Sequence, residues 1–265
     1  MLGAMIRREW KIFWRTPSQW TQLLLVGSLG IVYIYNFKYF DALHSTGFFT
    51  TATLYTTHIT LTGMVMITLA ARFLYPSVSV EGKAVWVLQS APITARDLLA
   101  AKARWAMWPL LGLSSVLSLF GAWFTQLSLS WVILTLWSGW LLTFVVLGLA
   151  VGLGAINPRF NLPNPQMVSA GLGGISFMLL ALLSVGLLSS MTFTTALGLM
   201  LCQHHVDLGL SWGFGIQTAY ERYDLWPLLG WIGAHLFVFL VYQGTMRLGA
   251  KRLEAMLSHD VQVEG

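Results

Sequence analysis

Charge is what this sequence has least of. Only 9% of its 265 residues are charged, against roughly 25% in soluble domains, and 56% are hydrophobic. So few charges cannot cover a water-facing surface, which excludes a soluble globular domain and leaves an integral membrane protein. Cysteine is nearly absent as well. The single Cys202 excludes an intramolecular disulfide framework and a multi-cysteine metal site. None of the ten acidic residues falls within a long apolar run. A carboxylate inside the membrane costs on the order of 2.5–3.5 kcal/mol and is kept only for a task, so ion-coupled secondary transport is disfavoured. No H-E-x-x-H occurs, and no P-loop motif: Gly82-Lys83 is followed by Ala84 and lacks the upstream glycine. The chain is therefore not expected to be an enzyme, and no catalytic, cofactor-binding or metal-ligating residue is assigned.

What the sequence does have is apolar runs. Trp20 to about Phe37 forms the first expected span, with no small-residue cleavage site after it, so it reads as retained. A second runs from about Phe48 to Phe73 and is loaded with threonine, whose hydroxyls can bond back to the helix. His58 lies within it and reads as a packing residue. From Ala106 to Asn157 no residue is charged, a stretch too long for one crossing of ~30 Å of hydrocarbon. It must be a hairpin turning near Gln126 to Ser130, with spans of about Met107–Leu127 and Trp131–Ile156. Gly148 and Gly152 in the second of these let another helix approach closely. After the breaker-rich NPRFNLPNPQ, a fifth span covers about Met167–Ser190, and a sixth about Leu225–Met246. The expected fold is an all-α integral membrane protein of six transmembrane helices, a single transmembrane domain over residues 1–265.

Three polar segments punctuate the spans. Residues 1–16 put Ile6, Trp10, Phe13 and Trp14 on one helical face and Arg7, Arg8, Lys11 and Arg15 on or near the other. That pattern fits a helix lying in the lipid headgroup plane, or one packed on a partner. Residues 74–104 carry four of the fifteen basic residues, and Arg72 just before them is a fifth. Here Val80, Ala84, Val87 and Leu88 follow Pro76 at i, i+4, i+7 and i+8, one face of a short helix with Glu81, Lys83 and Gln89 off the stripe. Pro92 ends it, and Thr94 with Asp97 starts another. Such a loop either grips a partner or merely connects two spans. Residues 191–223 are too polar for a span and too apolar for an ordinary loop, so partly re-entrant or interfacial helices are expected. Cys202, His204, His205 and Asp207 cluster there; they form a polar group or, less in keeping with any template, a Zn²⁺ or Cu site.

The net charge of +5 does not point to nucleic acid, because the bases sit at the ends of apolar runs. With six spans, thirteen of them fall on one side and only Lys38 and Arg222 on the other. That asymmetry predicts both termini and the central loop in the cytosol.

Three stretches carry a family resemblance: FWRTPSQWTQLLL (Phe13 to Leu25), YPSVSVEGKAVWVLQSAPITARDLLAAK (Tyr75 to Lys102) and GLGAINPRFNLPNPQ (Gly152 to Gln166). With the order of segments, they resemble type-two ATP-binding-cassette (ABC) exporter permeases, and within them a bacterial exporter-permease group whose members are often about twice this length. The chain looks like the C-terminal six-span half. The resemblance implies that Val80, Glu81, Ala84, Val87 and Leu88 belong to a coupling helix docking on a separate cytosolic ATPase, which would bind the ATP. Arg7, Arg8, Trp10, Lys11 and Trp14 would form the elbow helix against membrane lipid. A second six-span half and the bacterial inner membrane are implied too; the cargo is not. The competing expectation is a membrane scaffold or regulator that anchors a cytosolic partner and transports nothing.

Overall fold

The structure, a computed structural model, describes residues 2–15, 27–28, 30–32, 35, 50–84, 93–124, 127–160, 165–204 and 225–263. Among these the chain is all helical: α1 (Leu2–Arg15), α2 (Thr50–Phe73), α3 (Ala95–Phe124), α4 (Leu129–Gly154), α5 (Leu172–His204) and α6 (Leu225–Val263). Short 3₁₀ helices occupy Tyr75–Ser77, Ser79–Ala84 and Pro165–Ala170. The helices α2 to α6 include five that are long and apolar enough to cross a membrane. The expected first span lies largely outside the described residues, although its residues 27–28, 30–32 and 35 are helical.

The threonines of α2 behave as their chemistry requires. Thr56 Oγ1 donates to Ala52 O at 2.8 Å and Thr60 Oγ1 to Thr56 O at 2.9 Å, so the hydroxyls are satisfied within the helix. Tyr55 and Ser138 share a 2.5 Å bond across to α4. His58 is buried against Gly121 of α3, in a packing position.

Helix α4 is the centre of the bundle. Leu142, Val145, Val146, Ala150 and Val151 are all fully buried, as befits a helix that is apolar all round. Its closest neighbour is α6, and small residues set the approach. A Cβ on Gly152 would fall 2.6 Å from the Thr245 carbonyl, and one on Gly249 would fall 2.5 Å from Gly152 O. Opposite this seam, Leu229, Ile232, Leu236, Phe239 and Leu240 of α6 are exposed, a face fit only for lipid or another apolar surface.

Several boundaries differ from those read in the sequence, each for a local reason. Thr94 and Asp97 do form a cap: Thr94 Oγ1 receives the Asp97 N–H at 3.2 Å, and Asp97 Oδ2 receives the Thr94 N–H at 3.2 Å. The helix they start does not stop, though. Its alanine-rich first turns run straight into the third span as α3, which is 30 residues long. The segment Met191–His204, expected in a re-entrant region, continues α5. Thr192, Thr194 and Thr195 bond back to Ser189 O and Met191 O, so polarity there does not break the helix. Residues 205–223 lie outside the described set. The basic tail likewise continues α6, whose 39 residues make a rod of roughly 58 Å at 1.5 Å each. About half of that suffices to cross the hydrocarbon.

Candidate functional site

Three segments far apart in sequence meet at one end of the bundle. Helix α1 packs on the start of α3, and the 3₁₀ helix Ser79–Ala84 closes over both. On α1, Met5, Glu9 and Phe13 recur every fourth residue and share one face, with Glu9 buried among apolar neighbours. On α3, Leu98, Lys102 and Trp105, spaced four and then three apart, likewise share one face, and Lys102 is 2% exposed. Each helix therefore carries one ionisable residue on its buried stripe, of opposite sign.

Glu81 joins them. Lys102 Nζ donates to Glu81 Oε1 at 2.7 Å and to Glu9 Oε1 at 3.3 Å, while Arg8 Nη2 donates to Glu81 Oε2 at 2.5 Å. Two cations and two carboxylates leave the cluster neutral. Neutrality matters because an unpaired buried charge is strongly destabilising. Partial burial works to lower the Arg8 pKa, but the hydrogen bond and charge of Glu81, with the charge of Glu9, raise it above the ordinary guanidinium value. The backbone aids the geometry. Gly82 sits at φ +52°, a left-handed conformation that suits glycine, and turns the chain directly after Glu81. Glu81 is thereby buried while its neighbour Val80 is 44% exposed.

An aromatic layer backs the ions. Trp105 of α3 meets Trp10 at 6.0 Å and Phe13 at 5.5 Å, and Phe13 also meets Phe73 at the end of α2, 6.5 Å away. The aromatic face of α1 is thus turned onto protein. Its Arg7, Lys11 and Arg15 stay exposed. The loop is tied on its other side too. Ser79 Oγ accepts the Arg159 N–H at 3.1 Å, and the Tyr75 ring stacks on Phe177 of α5 at 5.2 Å.

Beside the loop, a groove of about 680 Å³ opens between α2, the 3₁₀ helix Pro165–Ala170 and α5. Met64, Ile67, Met178 and Leu182 make it apolar, and Thr68 and Arg72 give it a polar end next to the loop.

Of the residues singled out in the sequence, Arg8, Trp10 and Glu81 come together in this joint. Arg7 and Lys11 lie on the open face of α1, and Trp14 is helical with its side chain outside the described set. Val80 is exposed at the loop's surface. Ala84 ends the 3₁₀ helix, and Val87 and Leu88 lie outside the described residues. In place of the single helix expected from Val80 onward, the loop begins as two 3₁₀ helices separated by Val78, with the left-handed Gly82 inside the second. Glu81, read as a polar residue off the apolar stripe, is instead the buried centre of an ion network. Cys202 and His204 lie in the last turn of α5, and His205 and Asp207 fall outside the described set. Among the described residues no group of three or more His, Cys, Asp or Glu could hold a metal ion.

Glu9 was passed over in the sequence, and Lys102 was read only as one of the loop's basic residues. Their signal was present: each interrupts an apolar stripe at helical spacing, and the two interruptions have opposite charge.

Fold and site together define an all-helical, multi-pass membrane protein whose buried polar joint lies at one end of its bundle. A protein-family model described as "Putative ATP-binding cassette" matches residues 1–220, and the chain belongs to that family. No curated protein and no solved structure matches the chain.

Proposed function

We propose that this chain is the membrane-spanning permease subunit of an ABC exporter. It carries no P-loop, so a separate cytosolic ATPase binds and hydrolyses the ATP. That ATPase docks on the central loop from Val80 to Leu88 in the cytosol, where both termini also lie, at the bacterial inner membrane. The chain pairs with a second six-span half, and an amphipathic or hydrophobic molecule leaves along the bundle.

One observation carries this reading: the loop is tied by Glu81 to both α1 and α3 through a buried network. A push on a floppy connector would be lost in the connector. A push on this loop moves two helices with it, and can bias two packings of the bundle against each other. The groove between α2 and α5, apolar along its length and basic at the loop end, supplies a surface of the right character for the cargo.

The test uses Val80, because it is exposed and outside the ion network. Val80→Asp is expected to leave the chain inserted and folded but to abolish its stimulation of the co-purified ATPase in proteoliposomes. Normal co-purification with normal stimulation would remove the docking assignment.

A further inference from the structure

We infer that a cavity beside Arg159, separate from the groove between α2 and α5, binds a phosphoryl anion. The cavity measures about 320 Å³ and lies where the start of the central loop, the turn after α4, the first turn of α5 and the projecting part of α6 converge. Tyr75, Asn157, Arg159, Gly171, Gly173 and Met256 are among its walls. None of its described lining residues is acidic.

Three kinds of donor face this space. Tyr75 is 2% exposed, yet its hydroxyl has no hydrogen-bond partner among the described residues, and the residue lines the cavity. The hydroxyl opens on the cavity, where it can donate to a ligand oxygen. The ring is held in place by its stack on Phe177, so the hydroxyl is fixed rather than free to turn away. Arg159 makes no ion pair with any described carboxylate, and its charge acts on the Tyr75 phenol. Finally, the cavity borders the N-terminus of α5. The first helical bond there runs from Ile175 N to Gly171 O, and the N–H groups of Leu172, Gly173 and Gly174 precede it.

Glycines keep the site open. A Cβ on Gly173 would fall 2.5 Å from the Tyr75 hydroxyl oxygen, and one on Gly171 would fall 3.7 Å from Arg159 Nη1. Any larger residue at 173 would fill the space beside the hydroxyl. A guanidinium fork, a phenolic O–H and a helix N-terminus are all donors, and together they match an oxygen-rich, negatively charged group. The phosphoryl group could belong to a phospholipid headgroup or to a small phosphate in solution. This reading does not rest on the exporter assignment.

The experiment uses the full chain in phosphatidylcholine nanodiscs, with Tyr75→Phe, Arg159→Gln and, as a control for lost charge elsewhere, Arg247→Gln. Tyr75→Phe keeps the ring and its stack, so it keeps the fold. One arm adds phosphatidylglycerol at low mole fraction and counts lipid retained on the released protein by native mass spectrometry. The other arm titrates inorganic phosphate, with chloride at matched ionic strength, and reads the melting temperature. Retention of phosphatidylglycerol that drops about tenfold in Arg159→Gln, and severalfold in Tyr75→Phe but not in Arg247→Gln, assigns the site to a lipid headgroup. Stabilisation by phosphate with the same pattern of losses assigns it to a soluble phosphate. The inference is overturned if neither probe binds, or if all three variants weaken binding alike.

Discussion

Replacing Lys102 by methionine keeps the volume of the side-chain stem and removes its charge, leaving Glu9 buried without a cation. Glu81 would still hold Arg8, whose guanidinium reaches it from the half-exposed side. Breaking a buried pair by removing one partner costs on the order of 3–5 kcal/mol, so Lys102→Met should unfold well before the parent chain in a denaturant titration in micelles. Adding Glu9→Gln should recover a substantial part of that loss, because the second change removes the orphaned charge. No recovery in the double variant would mean that Glu9 is not held by Lys102. Much of this was open to reading from the sequence, since Met5, Glu9 and Phe13 alternate along one face, as do Leu98, Lys102 and Trp105. Which carboxylate each cation would meet was not readable. The partner Glu81 lies 73 residues from Arg8 and 21 from Lys102, and only a folded backbone brings the three together.

Elements tell a similar story in a different currency. The turn between α3 and α4 fell where an uncharged run had to fold back, and the threonines of α2 stayed helical as their hydroxyl chemistry allows. The ends of α3, α5 and α6 were less legible. Polarity marks where lipid stops, but a helix continues past that plane whenever its backbone bonds are met, as Thr194 and Thr195 ensure in α5. The seam between α4 and α6 was visible as glycines four apart, although their partner helix was not. That seam gives a direct prediction. Gly152→Leu must push α6 away from α4, because its side chain would start inside the Thr245 backbone. Overpacking of this kind costs typically ~1–3 kcal/mol and here works against backbone, so a clear fall in melting temperature is expected. Gly112→Leu on α3, where a Cβ meets nothing within 4 Å, should melt like the parent chain. Equal behaviour of the two variants would contradict the described crossing of α4 and α6.

At the scale of the whole molecule, the charged side chains among the described residues gather near one end of the bundle. The loop, α1, the start of α3 and the turn after α4 all meet there, so a force on the loop reaches helices on both sides of the groove between α2 and α5. Transport requires those helices to move relative to each other; a membrane anchor does not. The most direct measurement joins Thr68 on α2 to Leu182 on α5 with a reducible crosslinker, after Thr68→Cys and Leu182→Cys in a Cys202→Ser background. Both positions line the groove. ATP-driven efflux and stimulated ATPase turnover are then followed in proteoliposomes that contain the proposed partner ATPase, before and after reduction. The expected result is that both stop on crosslinking and return when the link is cut. Turnover and efflux that continue unchanged with the groove pinned would contradict a transport role for this chain.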